Sequence, residues 1–144
     1  MKIGLISDIK NLTIIKELAI HINKSGHKAV MLNCNDDLIK NANSLRENLQ
    51  LNKVERGIAV DDFGIAPFMY LSKFENIVVA EITDEHSSRM TCEHNNATVL
   101  SFGSNILTIY QMKKLITAFL NAEYEGGRHK VRIDMMNTLA KNGE

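Results

Sequence analysis

The sequence lacks the features that mark membrane, disulfide-rich and disordered proteins. No apolar run approaches the roughly 20 residues that a helix needs to cross a bilayer, and Met1 is followed by no signal-peptide pattern. The two cysteines, Cys34 and Cys92, form no CxxC pair, so we expect neither a disulfide framework nor a metal site. A single proline argues against collagen-like and disordered chains. We expect one cytoplasmic globular domain over residues 1–144.

An excess of charge of either sign is also missing. Seventeen Lys and Arg residues balance 17 Asp and Glu residues, which gives a formal net charge of zero. Such a chain has no overall electrostatic attraction to nucleic acid or to an anionic membrane. We therefore expect neither as a partner, and any anion site must be local.

Short β-rich runs alternate along the chain with longer segments of helical period, which is typical of stacked βαβ units. The predicted strands are Lys2–Ser7, Lys28–Asn33, Gly57–Asp61, Ile77–Ala80 and Thr98–Ser101. The apolar run over 77–80 predicts a central strand buried on both faces. The predicted fold class is α/β, a three-layer α/β/α sandwich with a five-stranded parallel sheet of Rossmann-like type.

The last helix is predicted to run from Arg128 to about Ala140, after a break at Gly126 and Gly127. Its apolar residues leave two alternatives open. They either pack on the sheet of their own chain, or they pack on, or exchange with, a partner subunit. These residues are Val131, Met135, Met136 and Leu139.

Acidic residues follow the first and third strands, at the sheet edge where parallel α/β proteins bind ligands. Asp8 follows the first strand, and Asp61 and Asp62 close the third. Asp61 and Asp62 could be paired carboxylates whose repulsion raises one pKa. They could equally cap the helix that follows.

Two further groups of polar residues are candidates for chemistry. Arg128 and Arg132 are four residues apart at a helix start, so their guanidiniums share one face and form either a phosphate site or a solvated basic face. His94 and Asn95 lie between a helix and the fifth strand. His94 is a candidate acid or base, or a partner of the helix C-terminus.

These motifs resemble the ribose/galactose isomerase family, which contains the type-B ribose-5-phosphate isomerases and both subunits of galactose-6-phosphate isomerase. The resemblance runs nearly from end to end. It rests on Ser7–Asp8, on Glu93–Asn96, on Glu125–His129 and on Arg132. Within the family, the A-type subunits of galactose-6-phosphate isomerase are nearest, because of the stretches Asp61–Gly64, Ala80–Glu85 and Arg132–Asn137.

The resemblance implies an aldose–ketose isomerase acting on a sugar phosphate, without a cofactor or metal. This reaction needs a base, an oxyanion donor and a phosphate clamp. The chain departs from the catalytic members, which have a cysteine base where it has Asp61, a Gly-Thr-Gly turn where it has Asp62–Gly64, and a histidine where it has Ile9. Its own turn is therefore a poor catalytic half-site.

In the family, each active site lies between subunits. The resemblance therefore implies that a B-type partner supplies the base, while His94 assists ring opening and Asn95 holds a substrate oxygen. Arg128 and Arg132 would grip the phosphate, and Asp8 would contact the substrate. The implied reaction interconverts galactose 6-phosphate and tagatose 6-phosphate in lactose or galactose catabolism.

Two alternatives remain open from the sequence. The chain could associate with itself as a self-sufficient enzyme in which Asp61 is the base. It could also be a phosphosugar-binding subunit with no catalytic role.

Overall fold

Five parallel strands form the central sheet of the computed structural model, which describes residues 1–143. The strands are β1 (Lys2–Ser7), β2 (Lys28–Met31), β3 (Arg56–Asp61), β4 (Val79–Glu81) and β5 (Val99–Gly103). Their order across the sheet is β2-β1-β3-β5-β4, and every neighbouring pair is parallel. The predicted five-stranded parallel sheet is confirmed.

Helices cover both faces of this sheet. They are α1 (Leu12–Lys24), α2 (Leu38–Gln50), α3 (Ile65–Leu71), α4 (Glu85–Glu93), α5 (Ile109–Asn121) and α6 (Gly127–Asn142). Apolar residues of α1, α4 and α5 pack on one face, and those of α2 and α3 pack on the other. The predicted three-layer sandwich is therefore confirmed. Among the helices within residues 1–143, none combines the length and the apolar character that a bilayer span requires.

The position of the fourth strand differs from the prediction. β4 lies at the edge of the sheet, and within the described residues it pairs with β5 alone. Val79 packs into the core under α2 and α3, whereas Ala80 packs into the core under α1, α4 and α5. The apolar run is therefore explained by the helices that cover both faces of the strand. It does not indicate how many strands flank β4 within the sheet.

The carboxyl ends of β1 and β3 flank the point where the strand order reverses. The chain passes from β1 outward to β2 and then returns across β1 to form β3 on the other side. Loops that diverge at such a point leave a crevice above the sheet, which is where open α/β sheets bind ligands. Asp8 and Asp61 both lie beside this crevice.

Helix α6 contributes no residue to either core cluster. Gly126 and Gly127 both have positive φ, at 64° and 51°, and they redirect the chain after α5. At the far end of the helix, Lys141 pairs with Glu75, which precedes β4. Its apolar side chains are 47–61% exposed, so the alternative that they pack on their own sheet is wrong. These side chains are Val131, Met135, Met136 and Leu139.

Candidate active site

The acidic residues at the carboxyl edge of the sheet, Asp8, Asp61 and Asp62, form what we call the carboxyl-edge cluster. Asp8 Oδ1 accepts hydrogen bonds from the backbone and side-chain nitrogens of Asn11, at 3.0 and 2.8 Å. These bonds cap the short 3-10 turn that leads into α1. Asp62 pairs with Lys10 at 3.3 Å on the surface. Both carboxylates therefore already have partners within the chain.

Asp61 is buried at the end of β3, with 8% of its surface exposed. Its Oδ1 accepts a hydrogen bond from the backbone N–H of Gly64, which holds the turn before α3. Burial raises the pKa of Asp61, and the charges of Asp8 and Asp62 raise it further, whereas backbone bonds from Gly64 and Ala66 lower it. One of the two alternatives from the sequence was that repulsion by Asp62 raises this pKa, but burial is the largest cause and Asp62 a minor one.

The turn that Asp61 holds is packed tightly against the end of β5. A Cβ atom added at Gly103 would stand 2.6 Å from the backbone carbonyl carbon of Phe63, so only glycine is accommodated without movement. Ser101 Oγ donates a hydrogen bond to the carbonyl of Gly64 at 2.7 Å. The side chain of Phe63 itself is 57% exposed and offers no hydroxyl. The turn is rigid and poor in donors that could reach a ligand.

A second group of polar residues lies at the amino edge of the sheet, and we call it the amino-edge cluster. His94 follows the last residue of α4, and its backbone N–H bonds to the carbonyl of Met90 at 2.9 Å. The backbone N–H of Glu125 donates to the carbonyl of Glu93 at 3.0 Å, which brings the start of α6 beside His94. The cluster consists of His94, Asn95, Glu125, Arg128, His129 and Arg132.

The two histidines of this cluster are stacked. The ring centroids of His94 and His129 are 4.0 Å apart, with 6° between the ring planes. Glu125 Oε2 lies 3.4 Å from His129 Nε2 and 3.9 Å from His94 Nε2. His129 is 9% exposed, and its Nε2 atom has no hydrogen-bond partner among the described residues. Burial lowers the pKa of His129, and the charges of His94, Arg128 and Arg132 lower it further. The carboxylate of Glu125 has the opposite effect and raises it.

Arg128 and Arg132 lie beside this stack and are exposed. Among the residues that the structure describes, no ion pair involves either guanidinium. Lys130, on the same helical turn, is instead paired with Asp134. Two unpaired guanidiniums beside imidazole rings form a local cationic site, which is suited to a phosphate group.

The two clusters lie at opposite edges of the sheet. Asp61 pairs with Gly103 at the carboxyl end of β5, whereas His94 and Asn95 precede the amino end of the same strand. At about 3.3 Å per residue, a five-residue strand separates them by roughly 15 Å. The structure therefore brings Asp8 and Asp61 together, and it brings His94, Asn95, Arg128 and Arg132 together. It does not join the two sets within one chain.

Comparison with known proteins agrees with this arrangement of fold and motifs. A family model described as Ribose/Galactose Isomerase matches residues 3–136. The chain belongs to the ribose/galactose isomerase family. The resemblance that the sequence motifs indicated is confirmed.

Relatives within the ribose/galactose isomerase family include curated proteins and solved structures. Galactose-6-phosphate isomerase subunit LacA of Streptococcus equi subsp. equi is 36% identical over 105 residues, which are 73% of this chain and 74% of that protein. Ribose-5-phosphate isomerase B of Clostridium thermocellum superposes with a TM-score of 0.92 at 25% identity, covering 100% of both chains. Ribose-5-phosphate isomerase B of Mycoplasma genitalium, solved with bound ribulose-5-phosphate, gives 0.88 at 28% identity, covering 97% and 96%.

Two residues of the amino-edge cluster were not among the predicted site residues. Glu125 and His129 appear in the sequence only as parts of the motif that carries the family resemblance. Their spacing of four residues is a signal that the two side chains can meet at a helix start. Their contact with His94 depends on the bond between Glu125 and Glu93, which joins two distant segments and leaves no local pattern.

Proposed function

We propose that this chain is a subunit of a sugar-phosphate isomerase that interconverts D-galactose 6-phosphate and D-tagatose 6-phosphate. Its active site is shared with a B-type subunit. The observation that carries the proposal is the separation of the two clusters. The amino-edge cluster keeps unpaired groups for a ligand, and the carboxyl-edge cluster of the same chain is too far away to complete a site with it. The names of the curated relatives supply the substrate class.

In this proposal, the amino-edge cluster binds and opens the sugar. Arg128 and Arg132 hold the 6-phosphate by charge-assisted hydrogen bonds, at the end of the substrate away from the reacting carbons. His94 accepts the proton of the anomeric hydroxyl and returns a proton to the ring oxygen, which gives the open-chain aldehyde. Asn95 donates its amide N–H to a substrate oxygen and fixes the orientation of the chain of carbons.

The partner subunit supplies the carbon-acid step. Its base removes the proton from C2, and the electron pair forms an enediolate with its negative charge on O1. The proton of the C2 hydroxyl then passes to O1, and the base returns its proton to C1 as the C2 oxygen becomes the ketone. A carboxylate of normal pKa near 3.8 is a weak base for such a proton. Asp61 has a pKa raised by burial, yet its Oδ1 already accepts the N–H of Gly64. The geometry therefore favours a base from the partner over Asp61.

Helix α6 supports association with a partner. Its exposed apolar side chains lie on the same helix as Arg128 and Arg132, so a partner that covers them also approaches the amino-edge cluster. We expect the double variant Met135→Ser, Leu139→Ser to lose complex formation with a B-type subunit in size-exclusion chromatography. Asn137→Ser, an exposed polar change on the same helix, is the matched control and should leave the complex intact.

The decisive test of the proposal is reconstitution. The purified chain is assayed alone and after mixing with the B-type subunit of a galactose-6-phosphate isomerase, with galactose 6-phosphate as substrate. We expect turnover only in the mixture, and a loss of roughly 100-fold or more for His94→Gln. His86→Gln, an exposed histidine at the start of α4, is the control and should retain the rate.

Two outcomes would contradict the proposal. Turnover by the chain alone that is abolished by Asp61→Asn would establish the self-sufficient alternative. A mixture in which His94→Gln keeps its rate would establish a subunit that binds phosphosugar without a catalytic role.

A further inference from the structure

The stacked histidines and Glu125 present three potential metal ligands to one small volume. One ligand atom from each of His94, Glu125 and His129 lies within 4.8 Å of the other two. An ion held tetrahedrally at about 2.1 Å from nitrogen and oxygen ligands separates those ligands by about 3.4 Å. Glu125 Oε2 is 3.4 Å from His129 Nε2 and 3.9 Å from His94 Nε2. The separation from His129 Nε2 equals this value, and the separation from His94 Nε2 exceeds it by about 0.5 Å.

An independent observation concerns His129. This side chain is nine-tenths buried, and its Nε2 atom has no hydrogen-bond partner among residues 1–143, although a carboxylate oxygen is 3.4 Å away. A buried nitrogen without a partner is costly, and native structures rarely leave one without a reason. A metal ion would satisfy the lone pair of His129 Nε2 and the charge of Glu125 together.

We propose that His94, Glu125 and His129 form a binding site for a divalent transition-metal ion of the Zn²⁺ class. Two imidazoles and one carboxylate are a ligand set that such ions use, with a fourth position left open to water. Because the two ring planes are nearly parallel, their in-plane lone pairs cannot converge on one ion, so His94 must rotate out of the stack to reach it. Its side chain is 36% exposed and has the freedom to turn.

The surrounding charges limit the affinity. Arg128 and Arg132 are the cations near His129, and they oppose a dication, while Glu125 attracts it. Replacing Arg128 with Gln should therefore tighten metal binding, whereas the same change weakens binding of a phosphate. If the three ligands hold the metal directly, Arg128→Gln should increase metal affinity. If the metal binds only together with an anion held by the arginines, the same substitution should decrease it.

A bound ion would also occupy the imidazole that the isomerase reaction needs. Metal binding and isomerisation are thus antagonistic, a consequence that rests on the proposed function. The binding site itself does not rest on it, because it can be measured on the chain without any sugar phosphate. Failure of the metal site and failure of the proposed function are in this way distinguishable.

The test is a titration of the full-length, chelator-treated chain with Zn²⁺ in phosphate-free buffer, followed by Co²⁺ to record a visible absorption spectrum of the bound ion. The chain carries Cys34→Ser to remove the partly exposed thiol. We expect one ion per chain, with affinity reduced by about tenfold or more in Glu125→Gln and in His94→Gln. His86→Gln should bind as the parent does.

Glu125 is exposed, so the Glu125→Gln variant should fold normally, and its circular dichroism serves as the check. The site would be refuted by equal Zn²⁺ affinity in the parent, Glu125→Gln and His94→Gln chains. It would also be refuted by a Co²⁺ spectrum that survives both substitutions, because the ion would then be held elsewhere.

Discussion

The two polar clusters differ in what their side chains do for the fold. At the carboxyl edge, Asp8 and Asp61 both accept backbone N–H groups, and Ser101 donates to a backbone carbonyl. At the amino edge, His129 Nε2 has no hydrogen-bond partner among the described residues, and Arg128 and Arg132 make no ion pair there. Polar groups that build a turn are satisfied within the chain. Polar groups without a partner in the chain are available to bind a ligand. By this criterion the amino edge is the ligand-binding edge, and the carboxyl edge is structural.

In this comparison, the largest loss of activity is expected from substitutions at the amino edge. Arg128→Gln and Arg132→Gln should each lower kcat/KM of the reconstituted enzyme by roughly 10- to 150-fold, because a hydrogen bond to a charged group contributes about 1.5–3 kcal/mol. Lys130→Gln is the matched control, since the Lys130 ammonium is already paired with Asp134. Steady-state kinetics on galactose 6-phosphate provide the measurement. Equal losses in all three variants would mean that the helix, and not the two guanidiniums, matters.

The next prediction tests the rigidity of the carboxyl edge. Gly103→Ala places a Cβ 2.6 Å from the backbone of Phe63, so the turn must shift, and we expect a loss of about 1–3 kcal/mol in the free energy of unfolding. Urea denaturation measures the loss. Ser104→Ala, at the next residue, should change stability little, because its side chain makes no such approach. An unchanged midpoint for Gly103→Ala would show that the turn is loose.

Asp61 allows its two roles, acceptor and charge, to be separated. Asp61→Ala removes the acceptor for the buried N–H of Gly64 and should cost about 1–3 kcal/mol in unfolding free energy. Asp61→Asn keeps an acceptor oxygen and removes the charge. We therefore expect Asp61→Asn to be clearly more stable than Asp61→Ala in urea denaturation at neutral pH.

The pH dependence of the same residue has a definite sign. Burial raises the pKa of Asp61 above its ordinary value of 3.8, so the folded state binds the proton more tightly than the unfolded state. The contribution of Asp61 to stability is therefore largest below pH 3.8 and falls as the pH rises through the folded pKa. The difference in unfolding free energy, parent minus Asp61→Asn, should therefore decrease as the pH rises through this window, whatever the other carboxylates contribute to both proteins. Parallel curves would contradict a raised pKa.

How much of this structure the sequence predicts depends on whether a feature is determined by residues close together or far apart in the chain. Patterns of apolar residues are local, and they predicted β1 and β3 correctly to within one residue. The edge position of β4 was missed because a strand's apolar run reports its two faces and is silent on strand order. The role of Asp61 in its turn was one of two open alternatives, since capping residues and paired carboxylates look alike in a sequence.

The same reasoning applies to the amino-edge cluster. Its members His94, Arg128 and Arg132 were assigned to one site chiefly through the family resemblance. That resemblance links motifs that are far apart in the sequence, whereas residue spacing relates only near neighbours. The stack of His94 on His129 arises when the start of α6 meets the end of α4, so no window of sequence contains it. The roles of these residues, and the extent of the chain as a single domain, stay predictions.

The smallest effect on stability is expected for Lys10 and Asp62, an exposed ion pair at the carboxyl edge. Their charged atoms are 3.3 Å apart, with 73% and 38% of the two side chains exposed, and ion pairs so exposed contribute about 0–1 kcal/mol. A double-mutant cycle with Lys10→Gln and Asp62→Asn should give a coupling energy below about 1 kcal/mol that vanishes at high salt. The Lys113–Glu17 pair, at 3.0 Å and with a less exposed lysine, is the reference and should couple at least as strongly. A stronger and salt-resistant coupling at Lys10 would mean that this pair, like Asp61, holds the turn, and the carboxyl edge would then depend on charge as well as on backbone bonds.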